Sequence, residues 1–194
     1  MTLEGEPVLF YGLSWPEGEN CPRLTRYYRR AAQVWKARWE RRLYPLACLE
    51  LADCRARSRP FRPWSCELSG SVPWETGKQA SIVLTARETG GQGQRRCVTR
   101  GIVWRLRDGT PLTLSMALPP EYRKRKALLA ALGRAASQCR SGGEVLLDAD
   151  LGSRLPRLLD RENFWLEEGR AAFPLPQYAA APGAEGCPVL YIPL

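Results

Sequence analysis

The chain contains no histidine among its 194 residues, and this absence removes several catalytic designs. Ser-His-Asp triads, Cys-His pairs, HExxH zinc sites and imidazole proton relays all require the imidazole group. Hydrolytic chemistry would therefore depend on carboxylates or on a lysine. The acidic residues that could form an acid/base pair or hold a metal ion are Asp148, Asp150, Glu167 and Glu168. A solvated strand end is the simpler interpretation of this pattern, so no catalytic residue, metal site or cofactor is predicted.

Long apolar runs and paired cysteine motifs are also missing. No window approaches the roughly 18 consecutive apolar residues that a membrane span requires. Residues 1–6 have neither a basic nor an apolar leader pattern. The seven cysteines are odd in number and include no CxxC pair, which argues against a complete disulfide framework or a zinc knuckle. We interpret them as small buried apolar residues, with a single disulfide or a reactive thiol as the alternative, and expect a cytoplasmic protein.

Positive charge is in excess, and the excess is confined to one segment. The formal net charge is +9, from 29 Lys and Arg against 20 Asp and Glu. Residues 23–62 hold 11 Arg and 1 Lys against Glu40, Glu50 and Asp53, a surplus of nine, whereas the other 17 basic and 17 acidic residues cancel. Any partner that is recognised electrostatically should therefore meet residues 23–62 first.

The front of the chain predicts a strand followed by a long helix. Residues 7–15, PVLFYGLSW, are β-prone and apolar and end at a Pro-Glu-Gly turn. Apolar residues then recur at steps of three and four, which predicts an amphipathic helix over 24–43. Its apolar positions are Leu24, Tyr28, Ala31, Trp35, Trp39 and Leu43. Pro45 removes a helical N–H, so the helix either kinks there or restarts with Pro45 in its first turn and runs to about Arg55.

The middle of the chain predicts an antiparallel meander. The predicted strands are residues 64–72, 80–88, 97–106 and 111–117. Asp108-Gly109 indicates a type I′ hairpin turn between the last two. Gly90-Gly91-Gln92-Gly93 has neither GxGxxG nor GxxxxGK[ST] spacing and precedes no helix. We interpret it as a hairpin tip and not as a phosphate loop.

The last third predicts a second helix and further short strands. The helix is expected from Tyr122 to about Gln138, with a short helix containing Pro156 after it. The predicted strands lie at residues 164–166, 171–173 and 189–192. We therefore predict one α+β domain over residues 1–194. One antiparallel sheet, built from the meander and the C-terminal strands, should carry the long basic helix across one face and the second helix packed on it.

The basic helix carries the candidate binding residues. Its arginines and aromatic residues could contact phosphates and stack on bases. However, the aromatic residues fall on the apolar stripe and the arginines fall elsewhere, as in a core-packed helix with a solvated face. A solvated face is the simplest interpretation, with an acidic protein partner and a nucleic acid or anionic membrane as alternatives. The candidate partner-binding residues are Arg26, Arg29, Arg30, Lys36 and Arg41.

Four short segments in the second half occur in a recognisable order. They are DGTPLTL at 108–114, ENFWL at 162–166, YAAAPGAEG at 178–186 and VLYIP at 189–193. Their order and spacing over about residues 80–194 resemble the C-terminal domain of the RsiV family. That family's pattern is roughly D-x-x-T-G-x-x-L-x-L, N-F-Y-L-x-x-x-G, Y-x-I-A-P-Y-A-x-G and a closing I-P. RsiV is an anti-sigma factor that senses lysozyme outside the cell, and similar domains accompany PdaC-type peptidoglycan deacetylases without being their catalytic part.

The resemblance implies a non-catalytic binding or sensor domain that recognises a protein or glycan partner. The small residues of 179–186 suit a tight crossover packed under a neighbouring element. Because lysozymes are typically basic, repulsion argues against lysozyme as the ligand and favours an acidic surface. The competing predictions are nucleic-acid or anionic-surface binding through residues 23–62, and a carboxylate-dependent cell-wall enzyme.

Overall fold

Helical and strand segments alternate along the part of the chain that the computed structural model describes, residues 1–16, 21–142, 146–181 and 186–194. The first half contains β1 (Thr2–Leu3), β2 (Glu6–Pro7), β3 (Leu9–Leu13), α1 (Pro22–Arg38), a π-helical turn (Trp39–Leu43), α2 (Tyr44–Ala56), β4 (Trp64–Glu75) and β5 (Gln79–Thr89). The second half contains β6 (Arg95–Arg105), β7 (Thr110–Pro111), α3 (Leu114–Ala117), α4 (Pro120–Arg123), α5 (Arg125–Gly142), α6 (Leu151–Leu158), β8 (Trp165–Glu167), β9 (Arg170–Pro174) and β10 (Val189–Pro193). Within these residues, no helix is both long and apolar enough to cross a membrane.

The predicted α+β class is confirmed, but the single predicted sheet is two sheets. One sheet has five strands in the order β3-β4-β5-β6-β7, and the other has three in the order β10-β9-β8. Pairing is antiparallel except between β3 and β4, which run parallel. A parallel pair needs a long crossover connection, and the continuous helical region from α1 to α2 provides it. The β1–β2 pair forms a separate two-stranded ladder at the front of the chain.

Two sheets form because β5 is buried on both faces. Ile82 and Leu84 pack against the helical layer of α1 and α2, whereas Val83 packs against Trp165 of β8. The Ser81 hydroxyl, fully buried, accepts a hydrogen bond from the Leu166 N–H at 2.8 Å and so joins the two sheets. A strand with only one buried face would show an alternating pattern. Helices α5 and α6 cover the outer face of the second sheet, which gives a helix–sheet–sheet–helix arrangement.

Gly101 on β6 sets how closely the sheets approach. A Cβ atom at this position would lie 2.4 Å from the Trp165 ring and 3.1 Å from the Phe164 carbonyl oxygen. Real Cβ atoms do not come that close to other atoms, so only glycine admits this packing. The backbone of β6 therefore lies directly against Trp165.

The helical region runs from α1 into α2 through the π-helical turn. The N–H of Tyr44 donates to the Trp39 carbonyl, five residues back, as π-helical geometry requires. Pro45 then lies in the first turn of α2, so of the two predicted outcomes the restart is confirmed. The buried positions on α1 and in the π turn are Leu24, Tyr28, Ala32, Trp39 and Leu43. Ala31 and Trp35 also pack against this core, as the apolar stripe predicts, but they lie at its edge and are only partly buried.

Two local predictions in the meander are also wrong. The predicted strand at 111–117 pairs only over β7 and then forms α3, because Leu114 and Leu118 are buried whereas Met116 between them is exposed. That spacing of four fits a helical turn. The connection between Arg105 and Thr110 is a four-residue loop, not a type I′ turn, since only Gly109 among its residues has a positive φ, +61°.

The second helix begins later than predicted. A short helix, α4, precedes it, and the backbone at Lys124 is extended before α5 begins at Arg125. The predicted short helix is observed as α6, and the predicted C-terminal strands are observed as β8, β9 and β10. The predicted glycine hairpin tip is confirmed, since Thr89 pairs with Arg95 on either side of it. Part of the predicted 179–186 crossover, residues 182–185, lies outside the described residues.

Candidate functional site

The outer edge of β6 is open over most of its length. Strand β7 pairs only with Trp104 and Arg105, so the preceding part of β6 has no neighbouring strand on that side. Such an edge presents unpaired N–H and C=O groups on which another chain could add a strand. In this protein, side chains bind most of those groups, and the Phe164 N–H donates to the Gly101 carbonyl at 3.2 Å.

Two side-chain amides imitate a paired strand along this edge. The Gln177 Oε1 accepts a hydrogen bond from the Cys97 N–H at 2.6 Å, and its Nε2 donates to the Arg95 carbonyl at 3.2 Å. The Asn163 Oδ1 accepts from the Gly101 N–H at 2.8 Å. Its Nδ2 donates to the Thr99 carbonyl at 3.0 Å. Between the amides, the Cys187 thiol donates to the Cys97 carbonyl at 3.2 Å. The β6 backbone is therefore capped, which favours recognition through its side chains over strand addition.

A cleft of about 680 Å³ lies along this capped edge, and we call it the β6 cleft. Leu43 of the π turn and Trp64 of β4 line it from the helical side, and residues 174–178 line it from the second sheet. Trp64 is held in place because its indole Nε1 donates to Glu50 of α2 at 2.6 Å. The cleft has a size ordinary for ligand sites and mixes apolar, aromatic, amide and arginine side chains with two carboxylates, Glu88 and Asp160. Glu88 is held by Arg38 and by the Trp39 indole.

Three residues of β6 form an exposed strip, the β6 strip: Arg96, Val98 and Arg100. Alternate residues of a strand point to the same face, so these three side chains lie on the same face of β6 as Ile102 and Trp104. The helical layer covers Ile102 and Trp104, whereas the three residues of the strip lie beyond it and are exposed. Arg96 and Val98 line the β6 cleft. No carboxylate of the described chain forms an ion pair with Arg96 or Arg100.

A second pocket of about 500 Å³ continues along the same strand. Arg100 and Trp104 of β6, Tyr27 of α1 and Arg161 are among its lining residues. Tyr27 is 39% exposed and lies edge-on to Trp104, with ring centroids 5.1 Å apart. An exposed aromatic ring between arginines can contact a planar or anionic ligand.

The structure places the five predicted binding residues in three surroundings. Arg26, Arg29 and Arg30 are exposed and share one face of α1, since residues three and four apart on a helix are neighbours. Lys36 is partly buried, with its Nζ 3.7 Å from Glu40 and 5.9 Å from the centre of the Tyr11 ring. The Tyr11 hydroxyl and Glu40 both raise the pKa of Lys36. Arg41 is exposed in the π turn.

Tertiary contacts redistribute the charge of residues 23–62. The cations of this segment that form ion pairs are Lys36, Arg38, Arg55, Arg57 and Arg59. Arg55 binds Glu4 and Glu6, and Arg38 binds Glu88, so three of the carboxylates come from outside the segment. Within residues 23–62, the cations that form no ion pair among the described residues are Arg23, Arg26, Arg29, Arg30, Arg41, Arg42 and Arg62.

The acidic clusters do not line the clefts described above. Asp148 and Asp150 both bind Arg154, at 2.5 and 3.1 Å. Glu167 binds Arg170 and accepts a hydrogen bond from the Trp165 indole at 2.9 Å. These carboxylates are therefore engaged in ion pairs with neighbouring arginines. Within the described residues, no group of three or more Asp, Glu or Cys residues could hold a metal ion.

The cysteines depart from the prediction that they are simply buried. Cys21, Cys54 and Cys66 are buried, and burial raises the pKa of Cys66 to about 12. The partly exposed cysteines are Cys48, Cys97, Cys139 and Cys187. Cys97 and Cys187 both line the β6 cleft, although 90 residues separate them in the chain.

Comparisons with known proteins identify the fold. A DUF3298 family protein from Pseudomonas aeruginosa PAO1 superposes with a TM-score of 0.63 at 18% identity, over 98% of this chain and 84% of that chain. A member of the same family from Bacteroides fragilis NCTC 9343 gives a TM-score of 0.63 at 18% identity, over 98% and 83%. The chain shares their fold. No family model and no curated protein matches the sequence.

In this fold, the capped edge of β6 is a feature that the sequence did not predict. Asn163 belongs to the ENFWL segment that was predicted from its apolar residues, yet its amide is what caps β6. The alternation of Arg96, Val98 and Arg100 was a readable signal of an exposed strand face, because residues two apart share a face. The pairing of Cys97 with Cys187 left no signal in the sequence.

Proposed function

We propose that this chain is a non-catalytic binding domain that holds an acidic, extended protein segment in the β6 cleft. The observation that carries the proposal is the β6 strip, in which two unpaired arginines flank an exposed valine. Arg96 and Val98 line the β6 cleft, and Arg100 lines the pocket that continues along the same strand. Arginine forms bidentate hydrogen bonds with carboxylates and is favoured at such interfaces. The spacing also suits an extended ligand, because a strand rises about 3.4 Å per residue.

The geometry suggests how such a ligand would lie. Arg96 and Arg100 are four residues apart on one strand face, so carboxylates four residues apart on an extended peptide would face them in register. A ligand residue between the two carboxylates would contact Val98. Gln177 and Asn163 already hold the backbone groups of β6, so the ligand would be recognised through its side chains.

The exposed arginines of α1 would act at longer range. Arg26, Arg29 and Arg30 have no ion-pair partner among the described residues, and the surface field of such a cluster raises the association rate of an acidic partner. In this proposal the α1 arginines attract the partner, as predicted from the sequence, and the β6 cleft holds it. The resemblance to the RsiV family supports the same class of function, a sensor or binding domain and not an enzyme.

The proposal can be tested with a fluorescein-labelled peptide that repeats Glu-Ser-Leu-Ser, in which glutamates four residues apart share one strand face with the leucine between them. Its binding is measured by anisotropy at low salt. Arg96→Glu with Arg100→Glu should weaken binding at least tenfold, since each lost charged hydrogen bond contributes about 1.5–3 kcal/mol. The matched control is Lys124→Glu with Lys126→Glu, which makes the same charge change on exposed residues of the α4–α5 region. Equal loss in both variants, or no binding of the peptide by the wild-type chain, would overturn the proposed site.

A second candidate, single-stranded nucleic acid, is favoured by the exposed ring of Tyr27 beside Arg100. Aromatic rings next to arginines stack on bases while the arginines contact phosphates. Binding of a labelled oligonucleotide should then fall steeply with salt, and Tyr27→Ala should weaken it. A glycan ligand, the other partner class predicted from the sequence, would instead bind as a neutral oligosaccharide with little dependence on salt.

A further inference from the structure

Two cysteines that are distant in sequence meet at the β6 cleft. Cys97 lies near the start of β6, and Cys187 lies just before β10. The Cys187 thiol lies 3.2 Å from the Cys97 carbonyl oxygen, and Cys187 is the largest influence on the pKa of Cys97. The backbone is close as well, since a Cβ atom at Gly186 would be 3.9 Å from the Cys97 Cβ. A disulfide would require the sulfur atoms to approach to about 2.05 Å.

Both sulfur atoms are accessible to small molecules. Cys97 and Cys187 are partly exposed, and they line the β6 cleft as well as a neighbouring cavity of about 620 Å³ that also contains Trp165. Cys48 and Cys139 are exposed to a similar degree, which makes them internal controls. Cys48 lies beside the Tyr44 hydroxyl and not beside another thiol.

The pair is also polarised. The hydrogen bond from Cys187 lowers the pKa of Cys97 to about 6, and Thr99 and Arg87 act in the same direction against the effect of burial. The Cys97 thiolate in turn raises the pKa of Cys187. Cys97 is therefore the more acidic thiol of the pair and the better nucleophile.

We propose that Cys97 and Cys187 are a redox-active pair that closes into an intramolecular disulfide when the chain reacts with an oxidised low-molecular-weight disulfide. The Cys97 thiolate attacks one sulfur of the small disulfide, so a mixed disulfide forms and one small thiolate leaves. The Cys187 thiol then gives its proton to the released thiolate and attacks the Cys97 sulfur. The second small thiolate leaves, and the two electrons that the protein loses reside on the two reduced small molecules.

Closure would tie the segment before β10 to the edge of β6. The Cys187 thiol would lose its hydrogen bond to the Cys97 carbonyl, and the wall of the β6 cleft would change shape. The bond would also close a loop of about 90 residues, and cross-links across long loops restrict the unfolded chain strongly. This inference does not depend on which ligand the cleft holds.

The test uses oxidised glutathione as the probe at neutral pH. The wild-type chain should lose two free thiols, and peptide mapping without reduction should recover a Cys97–Cys187 cross-link. Cys187→Ser should stop at a stable glutathione adduct on Cys97, whereas Cys97→Ser should react at least tenfold more slowly. Cys48→Ser and Cys139→Ser should behave as the wild type does.

Three results would overturn the inference. One is a full set of seven free thiols after incubation with the probe, one for each cysteine of the chain. Another is glutathione adducts without the Cys97–Cys187 cross-link. The third is a cross-link that survives in Cys97→Ser. Circular dichroism of each variant would show that it is folded, and a Tm higher in the oxidised than in the reduced wild type would report closure of the long loop.

Discussion

Glu88 of β5 accepts a hydrogen bond from the indole Nε1 of Trp39 across 3.0 Å, between the helical layer and the five-stranded sheet. The same carboxylate accepts from Arg38 at 2.9 and 3.2 Å, and the Glu88 side chain is only 9% exposed. Trp39 begins the π-helical turn, and π turns widen a helix locally. Adjacent residues of one helix therefore both reach one buried carboxylate on the sheet.

Glu88→Ala should destabilise the fold by about 3 kcal/mol, because it leaves the Arg38 guanidinium and the Trp39 N–H without their acceptor. Thermal and urea unfolding would measure it. Asp150→Ala is the control, since its ion pair with Arg154 is exposed and should contribute less than about 1 kcal/mol. Equal effects of the two substitutions would contradict the role given to Glu88.

Trp39→Ala should cost about 3–5 kcal/mol, as truncation of a fully buried aromatic residue does. Trp35→Ala should cost about 1–2 kcal/mol, because Trp35 is only partly buried and its ring lies under Arg38. Arg30→Ala should change stability by less than about 0.5 kcal/mol. Chemical denaturation of the three variants would test this order, and a larger loss for Trp35 would place the helix in a different rotation.

Asn163→Ala should destabilise the chain by about 1–3 kcal/mol, because the buried N–H of Gly101 and the carbonyl of Thr99 lose their partners. It should also promote self-association, since it uncovers part of a strand edge. Size-exclusion chromatography across a concentration series would detect this. Asn163→Asp keeps the acceptor for the Gly101 N–H but loses the donor to the Thr99 carbonyl, so it should lose less stability than Asn163→Ala.

Alkylation of Cys97 by iodoacetamide should be half-maximal near pH 6, because the thiolate is the nucleophile and the pKa of Cys97 is lowered to about 6. The rate should fall as pH drops below 6 and level off above about pH 7. In Cys187→Ala, which has no donor at this position, the midpoint should move upward, since the hydrogen bond from Cys187 is the largest cause of the shift. Mass mapping of the labelled peptide at each pH would give both profiles.

Charge reversal of Arg26, Arg29 and Arg30 to Glu should slow association with an acidic partner without unfolding the chain. The effect should be tenfold or more at low salt and should shrink as salt rises, since long-range fields are screened. Surface-plasmon kinetics would measure it. A control with Lys124, Lys126 and Arg134 changed to Glu alters the charge equally at other exposed positions. An unchanged on-rate would show that the α1 arginines are only a solvated surface and do not attract the partner.

Periodicity alone located most of the elements. The three-and-four spacing of apolar residues found the long helix, and the turn residues separated β4, β5 and β6 at nearly the right places. The pattern failed at residues 111–117, where an apolar run fits a strand or a helical turn equally well. It placed Trp35 on the apolar stripe, where the side chain does pack against the core, but periodicity could not show that Trp35 lies at the edge of that core and stays partly exposed.

The sequence by itself determined the α+β class, the concentration of positive charge in residues 23–62 and, through the lack of histidine, the exclusion of imidazole chemistry. These depend on composition and on contacts between near neighbours in the chain. Only the tertiary structure decided that β3 runs parallel to β4, that Glu4, Glu6 and Glu88 pair with basic-segment arginines, and that Cys97 meets Cys187 at the capped edge of β6. Each joins residues far apart in sequence, and no local pattern encodes which distant partner packing will bring into contact.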